Sequence, residues 1–182
     1  MPVAELSDEK IMLKVKEGNL SELTELFDRY HVKLYNFFLK LTFDKAASDD
    51  LTQNLFYRVI KYRQTFKFEE GAFRPWVYQM ARNVHFDFCK EHKKQTGNLK
   101  MVDDYKEDIA GGDGEYSEEH LERLDRALLQ LMPEQREMIV LSRYQGLKYS
   151  EISRIKDISV PAIKVQVHRA MKQLRSIYFK QS

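Results

Sequence analysis

The 182-residue sequence has a single cysteine, Cys89, which excludes an internal disulfide and a cysteine-based metal cluster. It also lacks any run of about 18 apolar residues, the length that suggests a membrane-spanning helix. The N-terminal segment MPVAELSDEKIMLK contains acidic residues and no apolar signal core, so no export signal is expected. These absences favour a soluble, cytoplasmic protein that does not insert into a membrane.

The signatures of common enzymes are also missing. The sequence has no glycine-rich phosphate loop, no HExxH motif and no spaced set of Cys and His ligands. The five histidines are scattered, and none has a carboxylate or nucleophile partner at a catalytic spacing. The sequence therefore predicts neither an enzyme nor a cofactor or metal site.

Acidic residues are absent from the C-terminal segment SVPAIKVQVHRAMKQLRSIYFKQS, although the whole chain has 28 Asp and Glu against 30 Lys and Arg. A surface helix without acids gives up stabilising Glu–Lys pairs and accepts repulsion between like charges. Phosphate backbones compensate, because each neutralised phosphate releases counterions. A solvated basic tail is the alternative, since cations are favoured near a helix C-terminus. The solvated-tail alternative explains Arg175 and Lys180, which are near the end of the helix, but it explains Lys164 and His168 in the first turns poorly. DNA binding is therefore favoured.

The chain is predicted to be all-α, with two small helical domains. Residues 1–94 form a helical bundle and residues 118–182 a helix-turn-helix domain; between them, residues 95–117 are glycine-containing and acidic, as in a flexible linker. Ser48 is a candidate N-cap in the bundle. Apolar residues at spacings of three and four predict one broad buried stripe, formed by Leu23, Leu26, Phe27, Tyr30, Leu34, Phe37, Phe38 and Leu41.

The last two helices form a helix-turn-helix pattern, joined by a tight turn at Lys156, Asp157 and Ile158. Asp tolerates the left-handed backbone that such a turn requires. Ser159 is the expected N-cap of the closing helix. Its buried stripe consists of Val160, Ile163, Val167, Ala170, Met171 and Leu174. The candidate DNA-contacting residues are Ser159, Pro161, Lys164, Val165, Gln166, His168, Arg169 and Lys172.

The segment YSEISRIKDISVPAIKVQVHRAMKQLR resembles the final helix-turn-helix of extracytoplasmic-function (ECF) sigma factors, which are bacterial initiation subunits of RNA polymerase. MPEQREMIVLSRYQGLKYSEI resembles the segment that precedes it. In the N-terminal half, LFDRYHVKLYNFFLKLTFDKAASDDLTQNLFYRVI resembles region two of the same family, and FRPWVYQMARNVHFDFCKEHKK resembles the helix that follows. The chain departs from the family at Lys156, Asp157, Pro161 and Val165, so the promoter sequence of relatives cannot be transferred to it.

The resemblance implies a factor that binds core RNA polymerase and directs it to specific promoters, with catalysis left to the polymerase. Region two would dock on the clamp helices through Asp50, Gln53, Asn54 and Phe56. It would also bind the minus-ten element through Trp76, Arg82, Asn83, Lys90, Lys93 and Lys94. The helix-turn-helix domain would bind the minus-thirty-five element and touch the polymerase flap. An anti-sigma factor is a further partner implied by the family.

Several alternatives stay open. The aromatic residues Phe73, Trp76 and Tyr78 suit stacking on single-stranded DNA, but core packing is the better explanation for all but Trp76. The acidic linker either mimics nucleic acid in the polymerase cleft or is a solvated spacer. A regulator with the same terminal helices would need an α/β receiver, whose buried strands residues 1–100 lack. Cys89 lies on an apolar helix face, which favours packing over redox sensing.

Overall fold

The computed structural model describes residues 6–69, 71–96 and 118–180, and every regular element in these ranges is helical. The all-α prediction is confirmed. The N-terminal half contains α1 (Asp8–Lys16), α2 (Leu23–Thr42), α3 (Lys45–Lys61) and α4 (Phe73–Thr96), with short 3-10 turns at Leu20–Glu22 and Arg63–Thr65. The C-terminal half contains α5 (Glu118–Leu129), α6 (Pro133–Ile139), a π-helical turn (Val140–Tyr144), α7 (Tyr149–Lys156) and α8 (Val160–Lys180).

The corner between α2 and α3 differs from the sequence prediction. The Asp44 side chain caps α3 by accepting a hydrogen bond from the Ala47 N–H at 3.0 Å. The prediction of Ser48 as N-cap is therefore wrong, because the helix begins a turn earlier and buries Ser48. The buried stripe of α2 is confirmed except at Phe27, which is 42% exposed. A period of 3.6 residues leaves such a position on the border between the two faces.

The helix-turn-helix prediction is confirmed. Asp157 adopts the left-handed conformation expected of the turn, with φ 53°. The Ser159 hydroxyl accepts a hydrogen bond from the Ala162 N–H at 3.4 Å, as an N-cap does. Ile152 and Ile155 of α7 are buried in one apolar cluster with Ile163 and Val167 of α8. This packing fixes which side of α8 faces outward.

The two halves pack against each other, which the sequence did not indicate. Helix α4 contacts α7, and α2 contacts the π-helical turn. Phe43, at the end of α2, places its ring in a cluster of α5, α6 and α8 residues. Phe43 has φ 54°, a conformation that bulky residues rarely adopt. Burial of its ring in the C-terminal half offsets that strain.

The predicted linker, residues 95–117, lies outside the described residues except for the helical backbone at positions 95 and 96. The domain boundaries at residues 94 and 118 stay a prediction. Across the described ranges, we find no helix with the length and apolar character needed to cross a membrane.

Candidate nucleic-acid interface

The outer face of α8 is open to solvent. All eight residues predicted to contact DNA there are exposed: Ser159, Pro161, Lys164, Val165, Gln166, His168, Arg169 and Lys172. Ile163, Val167, Ala170 and Leu174 are buried on the opposite face and anchor the helix. The cationic face is therefore held on a rigid support, which suits insertion of one helix into a DNA groove.

Helix α4 presents a second open cationic face. Asn83, Lys90, Lys93 and Lys94, all predicted to contact DNA, are exposed along it. Residues at spacings of three and four lie on one side of a helix. These side chains remain open to solvent although α7 also packs on α4. Each half of the molecule thus carries one exposed, lysine-containing helix face.

The aromatic residues of α4 divide into buried residues and one partly open residue, as the sequence interpretation expected. Phe73 and Tyr78 are buried, so core packing is confirmed for both. The Tyr78 hydroxyl donates to Gln145 Oε1 at 2.7 Å, and this bond also joins the two halves. Trp76 is half-buried, with its ring centroid 5.5 Å from that of Phe66 in an edge-on contact. Only part of the indole is available for a DNA base, and its assignment stays a prediction.

Arg82, also predicted to contact DNA, is engaged in the contact between the halves. Its Nε donates to Glu137 Oε1 at 2.5 Å, and its Nη1 donates to the Ile155 carbonyl at 3.4 Å. Lys156 Nζ donates to the other oxygen of Glu137 at 2.5 Å. Burial alone would raise the pKa of the Glu137 carboxyl, but Lys156 and Arg82 together hold that pKa below its ordinary value. Two of the three guanidinium nitrogens of Arg82 are therefore engaged by the C-terminal half rather than open to a phosphate.

Sequence reasoning could not find this contact, because Glu137 is 55 residues from Arg82. His85, which follows Arg82 on the same side of α4, adds no positive charge there. Burial lowers the pKa of His85 to about 4, so its imidazole is neutral at neutral pH. Cys89 Sγ lies 3.5 Å from His85 Nε2, and burial raises the pKa of this thiol. Both observations agree with a packing role for Cys89.

The residues predicted to bind polymerase lie along α3. Asp50, Gln53 and Asn54 are exposed. Phe56 is only 8% exposed, and its ring centroid lies 4.8 Å from that of Phe27. Phe56 therefore packs beneath the exposed α3 residues and does not form part of the open surface itself.

Beside these residues lies a cleft of about 330 Å³ between α2 and α3. Sequence reasoning missed the α2 residues of this cleft. Val32 offered a signal, because it is an apolar residue on the polar side of the helix and is 55% exposed. The cleft is lined by Phe27, His31, Val32, Tyr35, Asp49, Thr52 and Gln53.

Two family models match the chain, one in each half. The model described as Sigma-70 region 2 matches residues 26–95 and includes the open face of α4. The model described as Sigma-70, region 4 matches residues 121–174 and includes the open face of α8. Both candidate DNA surfaces therefore fall in segments that characterise one family.

Individual relatives agree along most of the chain. The ECF RNA polymerase sigma factor SigM of Bacillus subtilis is 29% identical over 163 residues, covering 86% of this chain and 94% of that protein. The RNA polymerase sigma factor CarQ of Myxococcus xanthus is 28% identical over 167 residues, covering 91% of this chain and 94% of that protein.

Two solved structures share the fold. CnrH in complex with the cytosolic domain of CnrY aligns with a TM-score of 0.73 at 19% identity, covering 96% of this chain and 99% of CnrH. The sigma factor RpoE of Bartonella quintana, solved with the anti-sigma factor NepR, aligns with a TM-score of 0.70 at 20% identity. That alignment covers 86% of this chain and 96% of RpoE.

Proposed function

The chain belongs to the sigma-70 family, as a promoter-directing transcription initiation factor of the ECF type, and we propose that its two halves contact promoter DNA at separate places. The outer face of α8 binds the minus-thirty-five duplex. The open face of α4 binds the minus-ten element, where the strands separate. The observation that carries this division is one exposed cationic helix face in each half, with few acids on either. Catalysis belongs to the polymerase, and the factor itself is not an enzyme.

Core polymerase is the proposed partner of α3 and the adjoining cleft. Asp50, Gln53 and Asn54 supply exposed polar groups, and Val32 with the half-exposed Phe27 supplies apolar area. Such a surface, apolar at its centre and polar at its rim, is typical of protein interfaces. The flap of the polymerase would contact the C-terminal half. Because polymerase acts in the cytoplasm, we place the factor there.

An anti-sigma factor is a further proposed partner. The fold matches CnrH and RpoE, which were solved with CnrY and with an anti-sigma factor, respectively. The rival function, a regulator with an α/β receiver, does not fit the described residues 6–69 and 71–96, whose regular elements are all helical.

The decisive experiment mixes the purified chain with core polymerase and measures transcription from genomic promoters identified by transcript mapping after overproduction. A sigma factor gives promoter-specific initiation with core enzyme alone. If initiation required a holoenzyme that already carries another sigma factor, the proposed function would be wrong.

Replacing Arg169 with alanine should weaken binding of the minus-thirty-five duplex by about tenfold, because a charge-assisted contact contributes about 1.5–3 kcal/mol. The salt dependence of binding should also become shallower by about one unit of slope. Holoenzyme binding to promoter duplex, titrated at several salt concentrations, measures both effects. Arg175→Ala is the matched control, since Arg175 is exposed on α8 outside the predicted set. Equal losses in both variants would indicate nonspecific charge rather than a defined contact.

Replacing Asn83 with alanine should impair promoter opening by about tenfold and leave recruitment of the holoenzyme to duplex DNA unchanged. Asn83 is exposed on α4 beside the lysines, and an amide can donate and accept hydrogen bonds to an unpaired base. Permanganate reactivity of unpaired thymines measures opening. Asn83→Asp should be worse than alanine because it repels phosphate. Normal opening by both variants would contradict the assignment.

A further inference from the structure

Phe86 is an exposed aromatic residue in the middle of α4. Its side chain is 68% exposed, whereas Phe88, two residues later, packs against the core. Single exposed apolar residues are common and need no explanation by themselves. The position of Phe86 is what distinguishes it, because it lies between Asn83 and Lys90 at spacings of three and four.

The neighbours of Phe86 on this face are amides and cations. Gln79 and Asn83 precede it, and Lys90 and Lys93 follow it, all exposed. The acid closest in sequence, Asp87, forms an ion pair with Arg58 of α3 at 2.8 Å between Oδ2 and Nη2. The exposed side chains at spacings of three, four and seven from Phe86 are thus uncharged or cationic, which favours a polyanion over an acidic or neutral protein surface.

An aromatic ring within a cationic stripe is what proteins use to bind single-stranded nucleic acid, where lysines follow the backbone and a ring stacks on a base. Duplex DNA keeps its base faces covered, so the ring gains a partner only where strands have separated. Three helical residues rise about 4.5 Å along the axis, a separation that one nucleotide step of an unpaired strand can span. Asn83 and Phe86 can therefore contact adjacent nucleotides.

We propose that Phe86 is a stacking platform for one unpaired base of the opened promoter strand, positioned next to the base that Asn83 contacts. The inference rests on the proposed function and names a residue that the sequence interpretation did not include. Lys90 and Lys93 hold the phosphates that follow. Because 68% of the Phe86 side chain is exposed, its replacement should leave folding intact.

The test uses holoenzyme and a promoter carrying 2-aminopurine in the non-template strand. Phe86→Ala should reduce the equilibrium extent of opening by about tenfold, within the range of about 5- to 150-fold that stacking of one base represents. Phe86→Trp should restore opening, because indole stacks at least as well. Phe86→Leu should resemble alanine, since it keeps apolar area without a π face. Recruitment to duplex promoter and its salt dependence should not change, whereas Lys90→Ala should make that salt dependence shallower.

Three results would overturn the inference. If Phe86→Leu opened the promoter as well as the unchanged protein does, an apolar side chain would be sufficient and stacking would not be required. Weaker binding of Phe86→Ala to core polymerase would identify a protein-docking surface instead. Normal opening by Phe86→Ala would remove any role in strand binding while leaving the proposed function standing. If the unchanged holoenzyme opened no promoter, the proposed function would fail first, and this inference would fail with it.

Discussion

Replacing Arg136 with alanine should lower the free energy of unfolding by about 3–4 kcal/mol, because each hydrogen bond from a charged donor contributes about 1.5–3 kcal/mol and the contributions overlap. The guanidinium donates to the carbonyls of Leu128, Leu129 and Leu131 near the end of α5, at 2.7–3.5 Å. It also donates to the Leu41 carbonyl near the end of α2 at 3.1 Å. The last carbonyls of a helix have no partner within the helix.

Arg136 therefore completes the C-terminal ends of two helices, one in each half of the molecule. A cation is also favourable at these ends because of the helix dipole. Its guanidinium lies 5.5 Å from the centre of the Phe43 ring, which adds a cation–π contact at the same corner. Loss of this side chain should weaken both the C-terminal half and its docking on α2.

Urea unfolding followed by circular dichroism measures the Arg136 effect. Arg136→Lys should recover only part of the stability, since an ammonium group keeps the charge but not the planar fork of donors. Arg143→Ala is the control for removing an arginine, because Arg143 is exposed, and it should change stability by less than about 0.5 kcal/mol. Equal stability of Arg136→Ala and Arg143→Ala would contradict the structural role.

Replacing Glu137 with alanine should lower the free energy of unfolding by about 3–5 kcal/mol, the usual result when one partner of a buried ion pair is removed. Only 15% of the Glu137 side chain is exposed, and it separates two cations, Arg82 of α4 and Lys156 of α7. Without the carboxylate these cations would repel each other across the contact between the halves. Glu137→Gln, which keeps the shape and some hydrogen bonds, should be intermediate.

The control for Glu137 is another ion pair between the halves. Arg154 Nη2 and Glu69 Oε1 are 3.0 Å apart, but 50% and 67% of these side chains are exposed. Exposed pairs contribute about 0–1 kcal/mol, so Glu69→Gln should have little effect. If Glu69→Gln lowered the free energy of unfolding as much as Glu137→Gln does, burial would not be what makes the Glu137 ion pairs important.

Glu137→Gln should also bind a single-stranded oligonucleotide more tightly than the unchanged protein, because Arg82 is then freed from its carboxylate partner.

The effect of Glu137 should depend on pH in a definite direction. Its pKa in the folded state is held below the ordinary value for glutamate. The carboxylate therefore stabilises the protein at neutral pH, and this stabilisation is lost as the pH falls from the ordinary value through the lowered one. Urea unfolding at a series of acidic pH values should show a smaller pH dependence for Glu137→Gln than for the unchanged protein.

The exposed face of α8 could be predicted from the sequence. The apolar stripe of α8 lies opposite its cationic face, so helical periodicity alone predicted which residues are exposed, from Lys164 to Lys172. Asp157 could be placed in the turn because few residues adopt a left-handed conformation. These features depend on neighbours within a few positions, which the sequence contains directly.

The environments of Phe27 and Arg82 could not be predicted from the sequence. Phe27 lies at the border of a buried stripe, and only the packing of α2 on α3 decides that it remains 42% exposed beside the cleft. Arg82 has the charge and position of a DNA contact, yet its partner Glu137 belongs to the other half of the chain. No spacing rule relates residues that far apart.

The sequence by itself determined the helical fold class, the helix-turn-helix, the two cationic faces and the family. Only the tertiary structure decided that Arg82 is bound to Glu137, whereas Lys90 of the same helix remains exposed. The physical reason is the range of the forces involved. Helical periodicity and turn preference act between near neighbours, whereas burial and ion pairing depend on which distant surfaces meet when the halves pack together.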